Sequence, residues 1–374
     1  NPEVSLLRRP TSISVVTMPN HPHRDPPIPH NNPLSIVLWS MDYTTLGSTG
    51  LVVSRLALGC MTYGSSKWRG WVLDEDAALP FYKKAVEAGI NFFDTADMYS
   101  LGASETVTGK ALREYTRRDE TVVATKVFND MAPGPNMKGL GRKHIIQGCE
   151  ASLKRLGMDR IDIYYIHRWD PSVPVEEMLE ALNDLVRSGK VLYLGASSGP
   201  AWQMAQALSV SERHGWARFV AMQNHYNLVY REEEREMNPL CVHEGVGIIP
   251  WSPLARGMLA RPRTADGNVM SAGTARAAGD GYSATLYDVA ADWNVVDAVE
   301  KVAEARGVSM AEVALAWLLS RPGVAAPIVG ASKLDQLDAA VRSLKLKLSA
   351  DECAAIEAPY VPHAVRGFAV PAPS

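Results

Sequence analysis

Ile161-Asp162-Ile163-Tyr164-Tyr165-Ile166-His167 is the segment on which the fold turns. It is rich in β-branched and aromatic residues, too short for an ordinary helix, and closed by an ionisable side chain. A continuous apolar run, rather than a strict alternation, marks a strand buried on both faces, as in parallel sheets. Two upstream segments read the same way: Ile90-Asn91-Phe92-Phe93-Asp94 and Thr121-Val122-Val123-Ala124-Thr125-Lys126. Working outward from these three, strands are expected at 56–58, 91–93, 122–125, 161–166, 192–194, 220–222, 247–249 and 326–329. A hairpin is expected before them, over 43–46 and 51–54, turning at Gly47-Ser48-Thr49-Gly50. Helical spacing fills 74–88, 105–113, 144–156, 176–186 and 311–319, with Gly89, Gly157 and Gly189 as stops. Eight βα units in series predict an α/β fold, a (β/α)8 TIM barrel. An open doubly wound sheet is the alternative, but Gly59-Cys60-Met61-Thr62-Tyr63-Gly64 lacks the glycine spacing of a dinucleotide fingerprint.

The barrel is expected over 41–360, followed by a tail over 361–374. Residues 1–40 hold Pro22, Pro26, Pro27, Pro29 and Pro33 among His and Asn without apolar periodicity, and read as a disordered leader or an appended remnant before Met41. The loop after the seventh strand, 255–291, is too long for a plain connection and reads as a lid or a disordered segment. A chain of 374 residues, 47% hydrophobic and 21% charged, has the composition of a globular enzyme. Its net charge of -3 argues against a sequence-independent grip on nucleic acid. No apolar stretch approaches the roughly 20 residues of a membrane helix. Cys60, Cys149, Cys241 and Cys353 are scattered, and the nine histidines show no ligand spacing. Reduced thiols, a cytoplasmic location and no metal are therefore expected.

In a parallel barrel the chemistry lies where strands emerge at their C-terminal ends. Asp94, Lys126 and His167 end three consecutive strands, and Tyr99 follows on the adjoining loop. Carbonyl reduction needs hydride at carbon and a proton at oxygen, and a free tyrosine with a pKa of about 10 exchanges protons poorly near neutrality. An ammonium at Lys126 is expected to lower that pKa, with Asp94 holding the lysine. His167 is expected to donate to the carbonyl oxygen, leaving Tyr99 as proton donor in reduction and base in oxidation.

Asp94-Thr95-Ala96-Asp97-Met98-Tyr99, Thr125-Lys126 and Ile166-His167-Arg168 resemble the motifs of the aldo-keto reductase superfamily, in the style of its short-loop bacterial members and of potassium-channel β subunits. The resemblance runs from about 43 to 359 and places the family's catalytic tetrad on Asp94, Tyr99, Lys126 and His167. It implies NADP(H) in preference to NAD(H). Gly59, Met61, Thr62 and Asp94 would border nicotinamide and ribose, Ser197, Ser198 and Gln223 would bind the carboxamide, and Trp251 would stack on the ring. Ser252, Pro253, Leu254, Arg256, Gly257 and Arg261, with Arg263 nearby, fall in the segment that wraps pyrophosphate. Gly330, Ser332, Lys333 and Gln336 fall where a ribose 2′-phosphate is held. Ala339-Ala340 replace the usual Glu-Asn facing adenine, and Ser198 replaces an Asn.

Tyr63, Trp68, Met98, Phe128 and Trp169 make a rim expected to suit a bulky, cyclic or aromatic aldehyde or ketone. The small-molecule carbonyl or alcohol is the partner implied. Two other readings use the same residues: a nucleotide-binding regulatory subunit with slow turnover, and a barrel lyase with a Schiff base at Lys126, which the adjacent Asp94 disfavours.

Overall fold

Eight short parallel strands form one sheet: β3 (Ala57–Gly59), β6 (Phe92–Asp94), β7 (Val122–Val127), β8 (Ile161–Ile166), β9 (Val191–Ser197), β10 (Phe219–Gln223), β11 (Gly247–Ile248) and β12 (Ile328–Val329). The computed structural model describes residues 41–263, 281–287 and 290–368. The leader read over 1–40, part of the long loop at 264–280, and the end of the tail at 369–374 lie outside them.

The strand order is β11-β10-β9-β8-β7-β6-β3-β12. At the seam between the outermost strands, Ile248 pairs in parallel with Val324, and the Ile328 amide donates to the Pro250 carbonyl at 2.9 Å. Helices α1 (Glu75–Glu87), α2 (Ala103–Tyr115), α3 (Arg142–Leu156), α4 (Val175–Arg187), α5 (Ala201–His214) and α6 (Met237–Glu244) alternate with the strands. Among the described residues α7 (Tyr282–Leu286), α8 (Asp292–Arg306) and α9 (Met310–Leu319) precede β12; α10 (Leu334–Ser343) and α11 (Ala350–Glu357) follow it. This curled parallel sheet with its helices fits an α/β TIM barrel. Before it, β1 (Tyr43–Thr45) and β2 (Val52–Ser54) pair antiparallel. Two further short strands, β4 (Tyr63–Gly64) and β5 (Leu73–Asp74), pair in parallel beside α1. No helix among the described residues is long and apolar enough to cross a membrane.

The two-residue period of the strands sorts side chains between two cores. Phe92, Val122, Ala124, Ile163, Tyr165 and Ala221 pack together inside the curl, capped from below by Leu46 and Val53. Phe93, Val123, Tyr164, Ile166 and Met222 point outward into the helix layer. Gly195 is required here, because a Cβ would stand 2.3 Å from the Tyr165 ring. The consequence for function is positional. Residues two beyond the inward set, namely Asp94, Lys126, His167 and Gln223, emerge together at the C-terminal end.

Candidate active site

The Lys126 side chain is wholly buried and reaches up from β7 to donate from Nζ to Asp94 Oδ1 at 2.6 Å and to the Thr95 carbonyl at 2.7 Å. Gln223 Nε2 donates to the other carboxylate oxygen of Asp94 at 2.8 Å, so β6, β7 and β10 meet on one carboxylate. A buried ion pair of this kind holds its charge only because its hydrogen bonds are satisfied. Tyr99 lies alongside, its ring centre 5.0 Å from Lys126 Nζ and 5.8 Å from the His167 ring, which meets it edge-on at 83°.

Tyr99 is set by backbone strain. Ser100 and Leu101 both adopt left-handed conformations, with φ of 51° and 50°, before Gly102 at 91°. Such strain in residues other than glycine concentrates at functional sites. Ser100 Oγ accepts from the Ser65 amide at 3.1 Å and so ties the turn to the loop after β3.

Burial pushes the Tyr99 phenol above its ordinary pKa, while the Lys126 ammonium and the Arg168 guanidinium pull it down. The expected lowering by Lys126 is present, but desolvation outweighs it, so the net shift is upward. For Lys126 itself the order reverses. Burial lowers its pKa, but Asp94 and Tyr99 together hold it above the ordinary value, so it stays an ammonium.

His167 is nearly sealed from solvent. Burial first, then Arg168 and Lys126, keep its ring well below the ordinary pKa and therefore neutral. Asn129 Nδ2 stands 3.2 Å from His167 Nδ1. An amide NH2 is a donor only, so Nδ1 accepts and the ring proton resides on Nε2.

A second set of residues lines the same end of the sheet. Gly330 lies between Gly59 and Thr62: a Cβ on Gly330 would stand 3.0 Å from Thr62 Oγ1 and 3.7 Å from the Gly59 carbonyl, and one on Gly59 would stand 2.7 Å from Ile328 Cγ2. Met61 beside them is half-buried. Ser197 Oγ is buried with no partner, a polar group that awaits one. Trp251 Nε1 donates to Ser198 Oγ at 2.9 Å, and its indole rests on His225 at 4.3 Å and 11°, which in turn rests on Tyr230 at 4.2 Å and 12°. The half-exposed indole therefore has a rigid aromatic backing.

Beyond it Ser252, Ala255, Arg256 and Gly257 all take positive φ, of 52°, 46°, 56° and 104°. Pro253 is buried and Leu254 half-buried. Such left-handed turns direct successive amides to one side, which suits an anion. Arg256 lies 5.0 Å over the Tyr282 ring, Arg263 lies 5.5 Å over the Trp293 ring, and Arg261 Nε donates to the Gly257 carbonyl at 3.3 Å. Glycine walls, an orphaned buried hydroxyl, a backed indole and an arginine-bearing turn fit a nicotinamide dinucleotide.

A profile of the Aldo/keto reductase family matches residues 55–360. The chain belongs to this family. It is 45% identical to the versiconal hemiacetal acetate reductase of Aspergillus parasiticus over 343 residues, covering 87% of this chain and 98% of that protein. A putative aryl-alcohol dehydrogenase of Schizosaccharomyces pombe is 42% identical over 87% of this chain and 97% of its own length. An aldo-keto reductase of Metarhizium robertsii is 42% identical over 91% and 96%.

In this aldo/keto reductase not every residue singled out from sequence joins the site. Tyr63 is corrected: it is fully buried, packs against Phe81 and Tyr82, and donates its hydroxyl to the Ala331 carbonyl at 3.0 Å. The 3-10 turn Cys60–Thr62 re-aims the chain after β3, so Tyr63 faces the helix layer rather than substrate. Trp169 packs over Gly199, where a Cβ would stand 1.9 Å from its ring, and meets Phe219 edge-on at 6.1 Å. Trp68 does reach the site, its ring 6.5 Å from that of Tyr99, and Met98 and Phe128 are half-buried next to Tyr99 and Asn129. Ser332, Lys333 and Gln336 are exposed, and Gln336 Oε1 accepts from the Ser332 and Lys333 amides at 2.8 and 3.2 Å, capping α10.

Sequence reasoning passed over Asn129, His225 and the Thr95 carbonyl. The first two follow recognised residues, Lys126 by three and Gln223 by two. That proximity was the only available signal.

Proposed function

We propose that this aldo/keto reductase is an NADP(H)-dependent oxidoreductase that reversibly reduces a bulky, cyclic or aromatic aldehyde or ketone to the alcohol. The observation that carries the reading is the convergence of a buried, paired lysine, a tyrosine ring 5.0 Å from its ammonium and a neutral histidine edge-on to that tyrosine. Gly59, Met61, Thr62, Ser197, Ser198, Gln223 and Trp251 would hold the nicotinamide end of the cofactor. Residues 252–257 with Arg261 would hold its phosphates, and Lys333, on Gly330-Ala331-Ser332-Lys333, the 2′-phosphate. When bound, the cofactor supplies hydride to the carbonyl carbon.

The chain's own residues manage the proton. His167 Nε2–H and the Tyr99 hydroxyl donate to the carbonyl oxygen and polarise it. Tyr99 then gives up its proton, and the fixed Lys126 charge stabilises the tyrosinate left behind. Asp94 and the Thr95 carbonyl hold that ammonium in place. In the oxidative direction Tyr99 takes the proton back.

Trp68, Met98 and Phe128 support the apolar character of the substrate. Two relatives are named for a hemiacetal acetate and for aryl alcohols, which agrees with that class. The four free cysteines suit a cytoplasmic enzyme.

The test follows NADPH and NADH consumption with aromatic aldehydes, quinones and cyclic ketones, using wild type and Tyr99→Phe. Turnover that falls roughly a hundred- to ten-thousandfold in the variant, with NADPH affinity little changed, supports the reading. Near wild-type turnover in Tyr99→Phe would refute the mechanism.

A further inference from the structure

Arg168 follows His167 directly at the mouth of β8 and is half-buried. Its described bond runs from Nη1 to the carbonyl of His167 at 2.5 Å. Among the described residues no carboxylate pairs with it, and it has no further partner. Asp170, two residues on, is fully engaged elsewhere: Oδ1 accepts from the Ser172 amide and hydroxyl at 3.0 and 2.5 Å, and Oδ2 from the Leu140 amide at 2.8 Å. Among the described residues Arg168 thus stands half-buried beside the proposed proton donors with no paired carboxylate, which leaves its charge open to an anion.

The guanidinium field is felt at three groups. Burial is the larger cause at each, raising the Tyr99 phenol and lowering the two imidazoles; Arg168 opposes it at Tyr99 and adds to it at His167 and, after Arg256 and His363, at His225 under the Trp251 indole. The guanidinium is itself held against the His167 carbonyl at the mouth of β8, next in the chain to the residue whose ring meets the substrate oxygen in the proposed reaction. With one N–H held by the His167 carbonyl, the rest of the planar fork remains to receive a carboxylate in two-point fashion.

We propose that Arg168 determines specificity by receiving an anionic group of the substrate, a carboxylate above all, so that this reductase prefers carbonyl compounds bearing an acid over their neutral counterparts. The inference rests on the reductase reading and narrows its substrate class. It also sets the order of contact: charge attraction at Arg168 orients the molecule before its carbonyl reaches Tyr99 and His167.

The experiment compares 3- and 4-carboxybenzaldehyde with their methyl esters, in wild type, Arg168→Met and Arg168→Lys, reading kcat and KM with NADPH. Comparing one pair of substrates across the three proteins cancels the electronic difference between acid and ester. The expected wild-type preference for at least one acid over its ester is about ten- to a hundredfold in kcat/KM, carried by KM, the range of a charge-assisted hydrogen bond. Arg168→Met should bring the ratio close to one, and Arg168→Lys should keep part of it.

An acid-to-ester ratio equal in wild type and Arg168→Met overturns the proposal. So does a variant whose defect is loss of NADPH affinity in fluorescence titration at an unchanged ratio. Calorimetric titration of wild type–NADPH with the corresponding carboxybenzyl alcohols and their esters decides the matter even if neither variant folds, because equal affinities for acid and ester also overturn it. If no aldehyde at all is turned over, the reductase reading fails, and the same titration run on wild type and Arg168→Met still decides whether Arg168 holds a carboxylate.

Discussion

Asn129 Nδ2 stands 3.2 Å from Nδ1 of His167 and so fixes which ring nitrogen carries the proton. Asn129→Asp replaces that donor with an acceptor, which should draw the proton to Nδ1, turn the Nε2 lone pair toward the carbonyl and raise the ring pKa. Reduction should fall roughly tenfold or more through kcat, with KM little changed, and the Nε2–H resonance of His167 in nitrogen-15 spectra should be lost. Asn129→Leu should fall less, because it removes the tautomer control without inverting it. An Asn129→Asp enzyme with wild-type kcat and an unchanged His167 spectrum would show that the amide merely packs.

The Asp94–Lys126 pair makes a prediction about folding. Lys126→Met strands a buried carboxylate and should cost about 3–5 kcal/mol of stability. Adding Asp94→Asn should restore part of that loss, since two neutral groups no longer leave a bare charge. Urea unfolding of the two single variants and the double variant reads the coupling directly. Additive losses would mean that the two charges do not stabilise each other.

Asp97 lies in the same loop and its carboxyl is pushed up to about 8, first by burial and then by Glu105. A carboxyl raised in the folded state contributes stability that is complete below its unfolded pKa and is lost as pH rises through the folded value. Thermal stability should therefore decline between about pH 4 and pH 8, and Asp97→Asn should flatten that decline. Parallel melting curves for both proteins across this range check it. Identical slopes would remove Asp97 as the source.

Lys333 is exposed at the start of α10, and among the described residues no carboxylate pairs with it. Lys333→Ala should weaken NADPH binding about tenfold and leave NADH within roughly twofold. Equal effects on the two cofactors would exclude it from the 2′-phosphate.

Much of this architecture was legible because strands buried on both faces leave uninterrupted apolar runs, and because Asp94, Lys126 and His167 each interrupt such a run at its end. Those three stand two residues past an inward-facing Phe92, Ala124 or Tyr165, so period alone carries them to a shared rim. What escaped the sequence depends on where loops turn after leaving the strands. Tyr63 was misplaced because a 3-10 turn intervenes. Asn129 and His225 carry no signature of their own; one meets the ring just past the end of β8, the other an indole at the next strand's exit. The direction of the Tyr99 shift was missed because residue spacing shows the neighbouring cation but not the depth of burial that opposes it.

The pairing of β3 with β12 brings Ala57 beside Ile328 and Leu58 beside Val329, contacts between nearly opposite ends of the barrel's sequence. Thr62 and Gly330 sit just above that pairing. A folding chain must close its longest loop before these two can face each other, which makes the seam slow to form. The contact between Thr62 and Gly330 is therefore among the last features to appear, and a ligand that touches both would act as a latch on the finished ring. Such a ligand should slow unfolding more than it speeds folding, protecting the enzyme in proportion to cofactor supply.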